Sequence, residues 1–290
     1  MSGFIKVKAK ELLLGNTLKL FLVFITSFVL KVTSIISIVL FTHFSLISSF
    51  LQNLVATYNS LLIYFIYSLI IVTLYFLLFL FLSGLKLGEK AIFFMQSKGS
   101  NAKFKYLFIF LKPSQSIRAF LLYFKTFFLK INWFIFFYMP PLFCLLLTIF
   151  LYFNSYIYTA VFYTLLFGTI ILLSISRFFY NCTIIRYSYA SYYLCTDLKI
   201  SVSEAISKST ENTDGFIKDG VFLKASFLPW ILSCILILPL FYVIPFIQLT
   251  KAKFVTFTDG LHKALPQNFY YPIWRKIKKR QSLKSDCHCL

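Results

Sequence analysis

Residues Leu61 to Leu82 form an apolar run without one charged side chain. As a helix rising about 1.5 Å per residue, it is long enough to cross the roughly 30 Å hydrocarbon core of a bilayer. In water that surface would need a protein covering, and the rest of the chain cannot supply one. Of 290 residues, 59% are hydrophobic and only 13% are charged. A soluble domain is closer to about half apolar and about a quarter charged. The run therefore selects the solvent, and mean hydropathy of +0.81 agrees. The chain is expected to be an all-α, polytopic integral membrane protein.

The same reasoning places about six spans, near residues 18–41, 61–82, 131–153, 156–176, 221–238 and 240–257. Residues 1–258 make a single transmembrane domain, and 259–290 a basic interfacial or disordered tail. Met1 to Asn16 mixes lysines with Phe4, Ile5 and Leu12 to Leu14 and suits an interfacial helix. Lys6, Lys8 and Lys10 precede the first apolar run, but no small-x-small cleavage site follows, so that run is expected to be retained. Lys31 falls within the first span. Either it sits near the bilayer centre as a functional charge, or the span shifts toward Val32–Leu51 and Lys31 snorkels. No Asp or Glu lies in any expected span, which leaves Lys31 without a carboxylate partner there.

Ser83-Gly84 reads as the end of the second span. The region that follows carries Lys86, Lys90, Lys98, Lys103, Lys105, Lys112, Arg118, Lys125 and Lys130 against one acid, Glu89. Ser116 to Leu129 has the period of an amphipathic helix lying on the cytoplasmic surface, with Leu121, Phe124 and Phe128 on its apolar face. Pro140 and Pro141 interrupt the third span, where a kink or break is expected, and broken helices can line binding sites. Asn154-Ser155 makes a short turn, and Gly168 offers a close-packing point in the fourth span. Tyr180, Tyr187, Tyr189, Tyr192 and Tyr193 then suit a membrane–water boundary, where the ring is apolar and the hydroxyl wet. The last apolar block contains Pro229, Pro239 and Pro245. Two short crossings turning near Pro239 keep the basic tail on the cytoplasmic side, as the positive-inside bias requires. The last two spans thus form a proline-broken hairpin, and both termini are cytoplasmic.

The net charge of +20 is spread between apolar spans rather than gathered in one polar domain. It implies orientation and attraction to anionic headgroups, with a membrane-protein partner as the second candidate and no nucleic acid. The oligomeric state stays open. The six cysteines, among them Cys144, Cys182, Cys195 and Cys234, read as structural thiols rather than a disulfide framework. Ser201-x-x-Glu204 fits a capping box at a helix start. The pattern Asn212-x-Asp214-Gly215 lacks the acids of a calcium loop and reads as a polar turn. Cys287-His288-Cys289 offers soft ligands for zinc or copper, though a tetrahedral site needs more. No phosphate-binding loop, dinucleotide fingerprint or zinc-protease motif occurs, so no cofactor and no catalytic residue is expected.

One stretch, Arg186 to Thr250, carries a wider pattern. Tyr189-Ala190, Tyr193-Leu194 and Asp197 are followed by Glu204-Ala205, Ser209 and Gly215. Ser226-Phe227, Trp230 and Ile244-Pro245 complete the set. In order and spacing this resembles a family of bacterial multi-pass membrane proteins known only as domain of unknown function 975. Pro229 stands where that family usually has Gly, and Leu238-Pro239-Leu240 replaces a Gly-rich turn. The resemblance covers about a quarter of the chain. It implies an architecture and a bacterial cytoplasmic membrane, and no activity.

Three functions fit these observations. The first is a non-catalytic scaffold, assembly or regulatory component. The second is a carrier of a small molecule or lipid, with Lys31, Pro140 and Pro141 as candidate ligand contacts. The third is a lipid-modifying enzyme using Arg186, Asp197 and Glu204 near the interface.

Overall fold

The computed structural model describes residues 2–47, 60–100, 102–153, 158–197, 200–233 and 240–264. Among them every regular element is a helix: α1 (Ser2–Leu14), α2 (Thr17–Ile47), α3 (Ser60–Ser97), α4 (Tyr106–Ile109), α5 (Pro113–Phe153), α6 (Thr159–Ser188), α7 (Ala190–Thr196), α8 (Val202–Thr213), α9 (Ile217–Ala225), α10 (Leu228–Ser233) and α11 (Leu240–Ala264). Four of them, α2, α3, α5 and α6, are long and apolar enough to cross a membrane.

These four run up and down. Tyr67 Oη of α3 donates to the Thr42 carbonyl of α2 (3.4 Å), and Lys31, midway along α2, meets Glu89 toward the far end of α3. Ser116 Oγ of α5 donates to the Leu80 carbonyl (2.6 Å), and Phe76 meets Phe120 edge-on. Trp133 Nε1 donates to Tyr187 Oη (3.2 Å), and Tyr152 stacks near Phe162. Charge follows this layout. No charged residue occurs between Lys31 and Lys86 or between Lys130 and Arg177. One end of the bundle is therefore free of charge.

With 38 and 41 residues, α3 and α5 are far longer than a bilayer needs, about 57 and 62 Å. The surplus builds the other end. Ile5, Ala9 and Leu13, one helical stripe of α1, are at most 2% exposed. They join Leu85, Leu87, Ile92 and Phe93 of α3, Leu122 of α5, Tyr192 of α7 and Leu249 and Phe254 of α11 in one core. By contrast, only 6–17% of the most apolar stretch of each long helix is buried. The molecule thus has an apolar sleeve that needs lipid and a packed end with a core of its own.

Several expectations are corrected here. Ser83-Gly84 does not end α3. The helix runs to Ser97 and is closed by Gly99, whose φ of +79° suits glycine, with Ser100 N–H donating to the Met95 carbonyl (3.2 Å). Gly84 and Gly88 instead let another segment approach: a Cβ at Gly88 would lie 2.2 Å from the Leu107 carbonyl oxygen, and one at Gly84 2.6 Å from that of Phe110. The expected surface helix at 116–129 is the first part of α5, started by Pro113 at its first position. Small residues Ser116, Ala119 and Thr126 face inward with Leu122, while Leu121, Phe124 and Phe128 face out. The α5 helix runs on through Pro140 and Pro141 without a break. Gly168 has open space around it and packs against nothing within 4 Å. Tyr189, Tyr192 and Tyr193 are buried core residues rather than a wet belt.

Of six expected spans, four correspond to the long helices. The fifth, 221–238, covers part of α9 and α10, and its end lies outside the described residues, as does Pro239. The sixth, 240–257, is the first part of α11. Val243, Phe246, Leu249, Ala252 and Val255 of α11 all belong to buried positions, so protein rather than lipid covers this helix. The metal candidates Cys287, His288 and Cys289 also lie outside the described residues, with most of the expected tail.

Candidate functional site

The inner half of α3 presents three faces, and each has a separate task. Gly84 and Gly88 lie one turn apart and receive the 107–110 segment. Glu89 faces α2, where it accepts from Lys31 Nζ (2.6 Å) and Ser27 Oγ (3.0 Å). Lys86 and Lys90, also one turn apart, face a cavity of about 260 Å³. The rest of that wall comes from distant sequence: Lys130 of α5, Ser188 of α6, Tyr189 and Tyr192 at the α6–α7 junction, Gly220 and Lys224 of α9, and Gln248 and Lys251 of α11.

Five lysine side chains therefore line one small space. Lys90 Nζ donates to Ser191 Oγ (2.8 Å) and lies over the rings of Tyr123 and Tyr192, 5.4 and 5.6 Å from their centroids. Lys86 Nζ sits 4.7 Å from the Tyr123 centroid. Such cation–π contacts soften a charge but do not cancel it. Lys224 Nζ donates to Asn181 Oδ1 (3.1 Å). The ion pairs Lys8–Glu11, Lys31–Glu89, Arg186–Asp214 and Lys208–Glu204 include no lysine of this cavity. The consequence is visible at Lys251, whose pKa is held below the ordinary lysine range by burial, with Lys224 and Lys86 adding repulsion. Burial lowers Lys224 as well, helped by Arg177.

Two tyrosine hydroxyls, Tyr123 Oη and Tyr192 Oη, are buried without a hydrogen-bond partner. A buried hydroxyl left unsatisfied costs about 1–3 kcal/mol. Both rings pack against Lys90. Gly220 keeps the α9 wall close: a Cβ there would sit 2.9 Å from Ile185 Cδ1. A second cavity, of about 400 Å³, shares Lys86, Lys90 and Gln248 with the first. It adds Lys31, Glu89, Phe24, Ile35, Leu82 and Ile244.

Of the expected site residues, Lys31 reaches this second cavity. Its expected lack of a carboxylate is overturned, because α3 continues past Leu82 and brings Glu89 to it. Pro140 and Pro141 lie about 15 Å along α5 from Lys130 and take no part. Of the motif residues, Tyr189 is in the wall. Ser209 Oγ donates to the Arg186 carbonyl, tying α8 to α6. Gly215 has φ +89° in the α8–α9 turn. Ser201 Oγ accepts from the Glu204 N–H (3.1 Å), as a cap does, while the Glu204 carboxylate pairs with Lys208. The Ser226 carbonyl accepts from Lys6 Nζ (3.2 Å). Trp230 is half-exposed on α10, Pro245 is inside α11, and Asp197 caps the end of α7. Arg186, Asp197 and Glu204 do not share a pocket: Arg186 pairs with Asp214 (3.5 Å) and Glu204 with Lys208 (3.0 Å). Among the described residues no cluster of His, Cys, Asp and Glu could hold a metal.

Sequence reasoning passed over the cavity lysines. Their one local signal was Lys86 and Lys90, one turn apart and flanked by Leu85, Leu87, Ala91 and Ile92. A solvated face would not be so apolar around its charges.

The fold and the cavity together define an all-α membrane protein with four helices of spanning length and a lysine-lined cavity in its packed end. The chain matches no family model, no curated protein and no solved structure.

Proposed function

We propose that this chain is a non-catalytic, anion-binding regulatory component of a bacterial cytoplasmic membrane. One observation carries the reading: Lys86, Lys90, Lys130, Lys224 and Lys251 line a single cavity whose wall, among the described residues, holds no carboxylate, while Glu89 in the adjoining cavity is engaged by Lys31. Like charges gathered in one partly enclosed space repel one another, and an anion binding there would relieve that repulsion. The packed end carries the charge and the apolar end carries none, which supports a cytoplasmic packed end and cytoplasmic termini. The relation to domain of unknown function 975 belongs to this proposal and rests on the motif residues from Tyr189 to Pro245. The carrier reading has one supporting observation, the Lys31–Glu89 pair in the adjoining cavity, where a charge pair could exchange with a passing ligand. The enzyme reading has none.

The test uses the full chain purified in mild detergent. Added inorganic pyrophosphate should raise its Tm, because a ligand bound only by the folded state stabilises it. The Lys130→Gln/Lys251→Gln variant should lose that rise. A wild-type Tm unmoved by pyrophosphate at low salt would count against anion binding.

A further inference from the structure

We infer that the ligand of the lysine cavity is the phosphate headgroup of a membrane lipid, with its hydrocarbon chain running through the adjoining cavity. This rests on the anion-binding reading and names its ligand. Four observations lead to it.

The two cavities meet. Lys86, Lys90 and Gln248 line both, so a molecule held by these side chains would have its two ends next to the two spaces. The lysine cavity, at about 260 Å³, falls below the roughly 300–1,000 Å³ typical of pockets that enclose a whole ligand. It suits a headgroup whose remainder lies elsewhere.

The second cavity changes character along its length. Beyond the shared lysines its wall is Phe24, Ile35, Leu82 and Ile244, from three helices. Ile35 is 44% exposed, and Ile36, Val39 and Leu40 continue that exposed apolar surface along α2. The passage therefore opens toward the sleeve that lipid must cover. A fully hydrated anion has no use for such a wall. An acyl or prenyl chain gains about 0.8 kcal/mol for each methylene it places there.

Charge is graded to match. At the passage Lys31 is neutralised by Glu89 at 2.6 Å, so a chain passes a balanced pair. Beyond that pair Lys86 and Lys90 lead into the first cavity, where the lysines Lys130, Lys224 and Lys251 join them. Five of them exceed what one phosphodiester needs, and a phosphomonoester or diphosphate with two or more negative charges fits better.

Donors complete the site. The amide of Gln248 stands where the two cavities adjoin. Phosphate oxygens accept from amide N–H groups as well as from ammonium groups.

The experiment titrates the full chain in mild detergent with three probes: short-chain phosphatidic acid, phosphatidylcholine of the same chain length, and inorganic pyrophosphate. Tm is the readout, and intrinsic fluorescence confirms it. The account expects phosphatidic acid to raise Tm at no more than about one-tenth of the pyrophosphate concentration, since burial of two methylenes already supplies that factor. Phosphatidylcholine should do nothing. Ile35→Trp fills the apolar passage, and should remove the advantage of phosphatidic acid while leaving the pyrophosphate response intact. That retained response also shows the variant is folded. Lys130→Gln/Lys251→Gln should lose both responses and keep its monodisperse elution.

If pyrophosphate acts as potently as phosphatidic acid, or if Ile35→Trp changes neither response, the lipid assignment is wrong and the anion site stands, with a free phosphate compound as its ligand. If phosphatidylcholine matches phosphatidic acid, the headgroup is not being read and the lipid assignment is likewise wrong. If no probe moves Tm, the anion site and the lipid assignment both fall.

Discussion

The two halves of α3 share one continuous helix and the same kinds of bulky apolar residue, yet they live in different solvents. From Phe65 to Phe79 the bulky residues point outward: Phe65, Val72 and Phe79 are each more than half exposed. From Leu85 to Phe94 the same residue types are sealed, with Leu85, Leu87, Ile92 and Phe93 fully buried. The outer half has a lipid-facing surface and no glycine. The inner half has Gly84 and Gly88 to admit a neighbouring segment, Glu89 to pair with Lys31, and Lys86 and Lys90 to build a cavity. Apolarity alone says that a residue avoids water. Where polar groups and glycines fall on the helix faces says whether lipid or protein keeps water away.

This comparison can be broken by paired substitutions. Phe93→Ala in the packed end should cost about 3–5 kcal/mol, the range for emptying a buried aromatic site. Phe143→Ala on the sleeve, where the ring is 68% exposed, should cost less than about 0.5 kcal/mol in a lipid-like detergent. Thermal unfolding of the two variants side by side decides it, and equal losses would erase the distinction.

The ion pair is the next largest effect. Glu89→Gln leaves Lys31 beside Lys86 and Lys90 without compensation, and should cost on the order of 3 kcal/mol. The double variant Lys31→Met/Glu89→Gln should recover most of this, because the uncompensated charge is gone. A double-mutant cycle read by Tm measures the coupling.

Glycines sharpen the contrast at smaller scale. Gly88→Ala drives a methyl into the Leu107 carbonyl and should cost about 2 kcal/mol, at the level of core overpacking. Gly168→Ala meets nothing and should be neutral, or stabilise by up to about 1 kcal/mol through helix propensity. A loss at Gly168 equal to that at Gly88 would mean that the sleeve is packed more tightly than described.

The smallest effect is a pH dependence with a definite sign. Lys224 and Lys251 have pKa values lowered by burial, so near those values the unfolded chain holds more protons than the folded one. Stability of the ligand-free protein should therefore rise as pH climbs through the lowered values toward the ordinary lysine value. Because Lys224 is exposed to solvent, the gain is small. Binding of an anion should weaken over the same window, since the ammonium groups lose their charge. Tm scans with and without pyrophosphate should thus converge at high pH.

Much of this architecture was legible in the sequence. The charge-free run at 61–82, the apolar run at 131–153 and the first span around Lys31 lie within α3, α5 and α2, and the run at 156–176 lies within α6 from Thr159 onward. The start of α8 was legible too, because Ser201 and Glu204 sit at cap spacing. What failed was the reading of ends. Ser83-Gly84 looked like a stop, yet a glycine inside a helix also serves where another backbone comes close, and only the partner at Leu107 tells the two apart. The tyrosines of 189–193 looked interfacial because Tyr suits a boundary, but a ring can also seal a core, as Tyr192 does. The cavity was not legible at all. Its lysines come from α3, α5, α9 and α11, and each alone looks like an orienting charge between spans. Only tertiary packing makes them one site.

The central claim is that a single helix passes from lipid into a protein core, and spin labels along α3 test it most directly. Single cysteines would be placed at Phe65, Leu69, Val72, Phe76 and Phe79, and at Leu85, Leu87 and Phe93, in the full chain reconstituted in vesicles. Collision with oxygen reports lipid exposure, and collision with a water-soluble nickel complex reports water. The account predicts strong oxygen accessibility for the first set and almost none to either reagent for the second. Oxygen accessibility that continues unchanged from Phe65 through Phe93 would mean that lipid, not protein, surrounds the inner half, and the packed end with its lysine cavity would not exist as described.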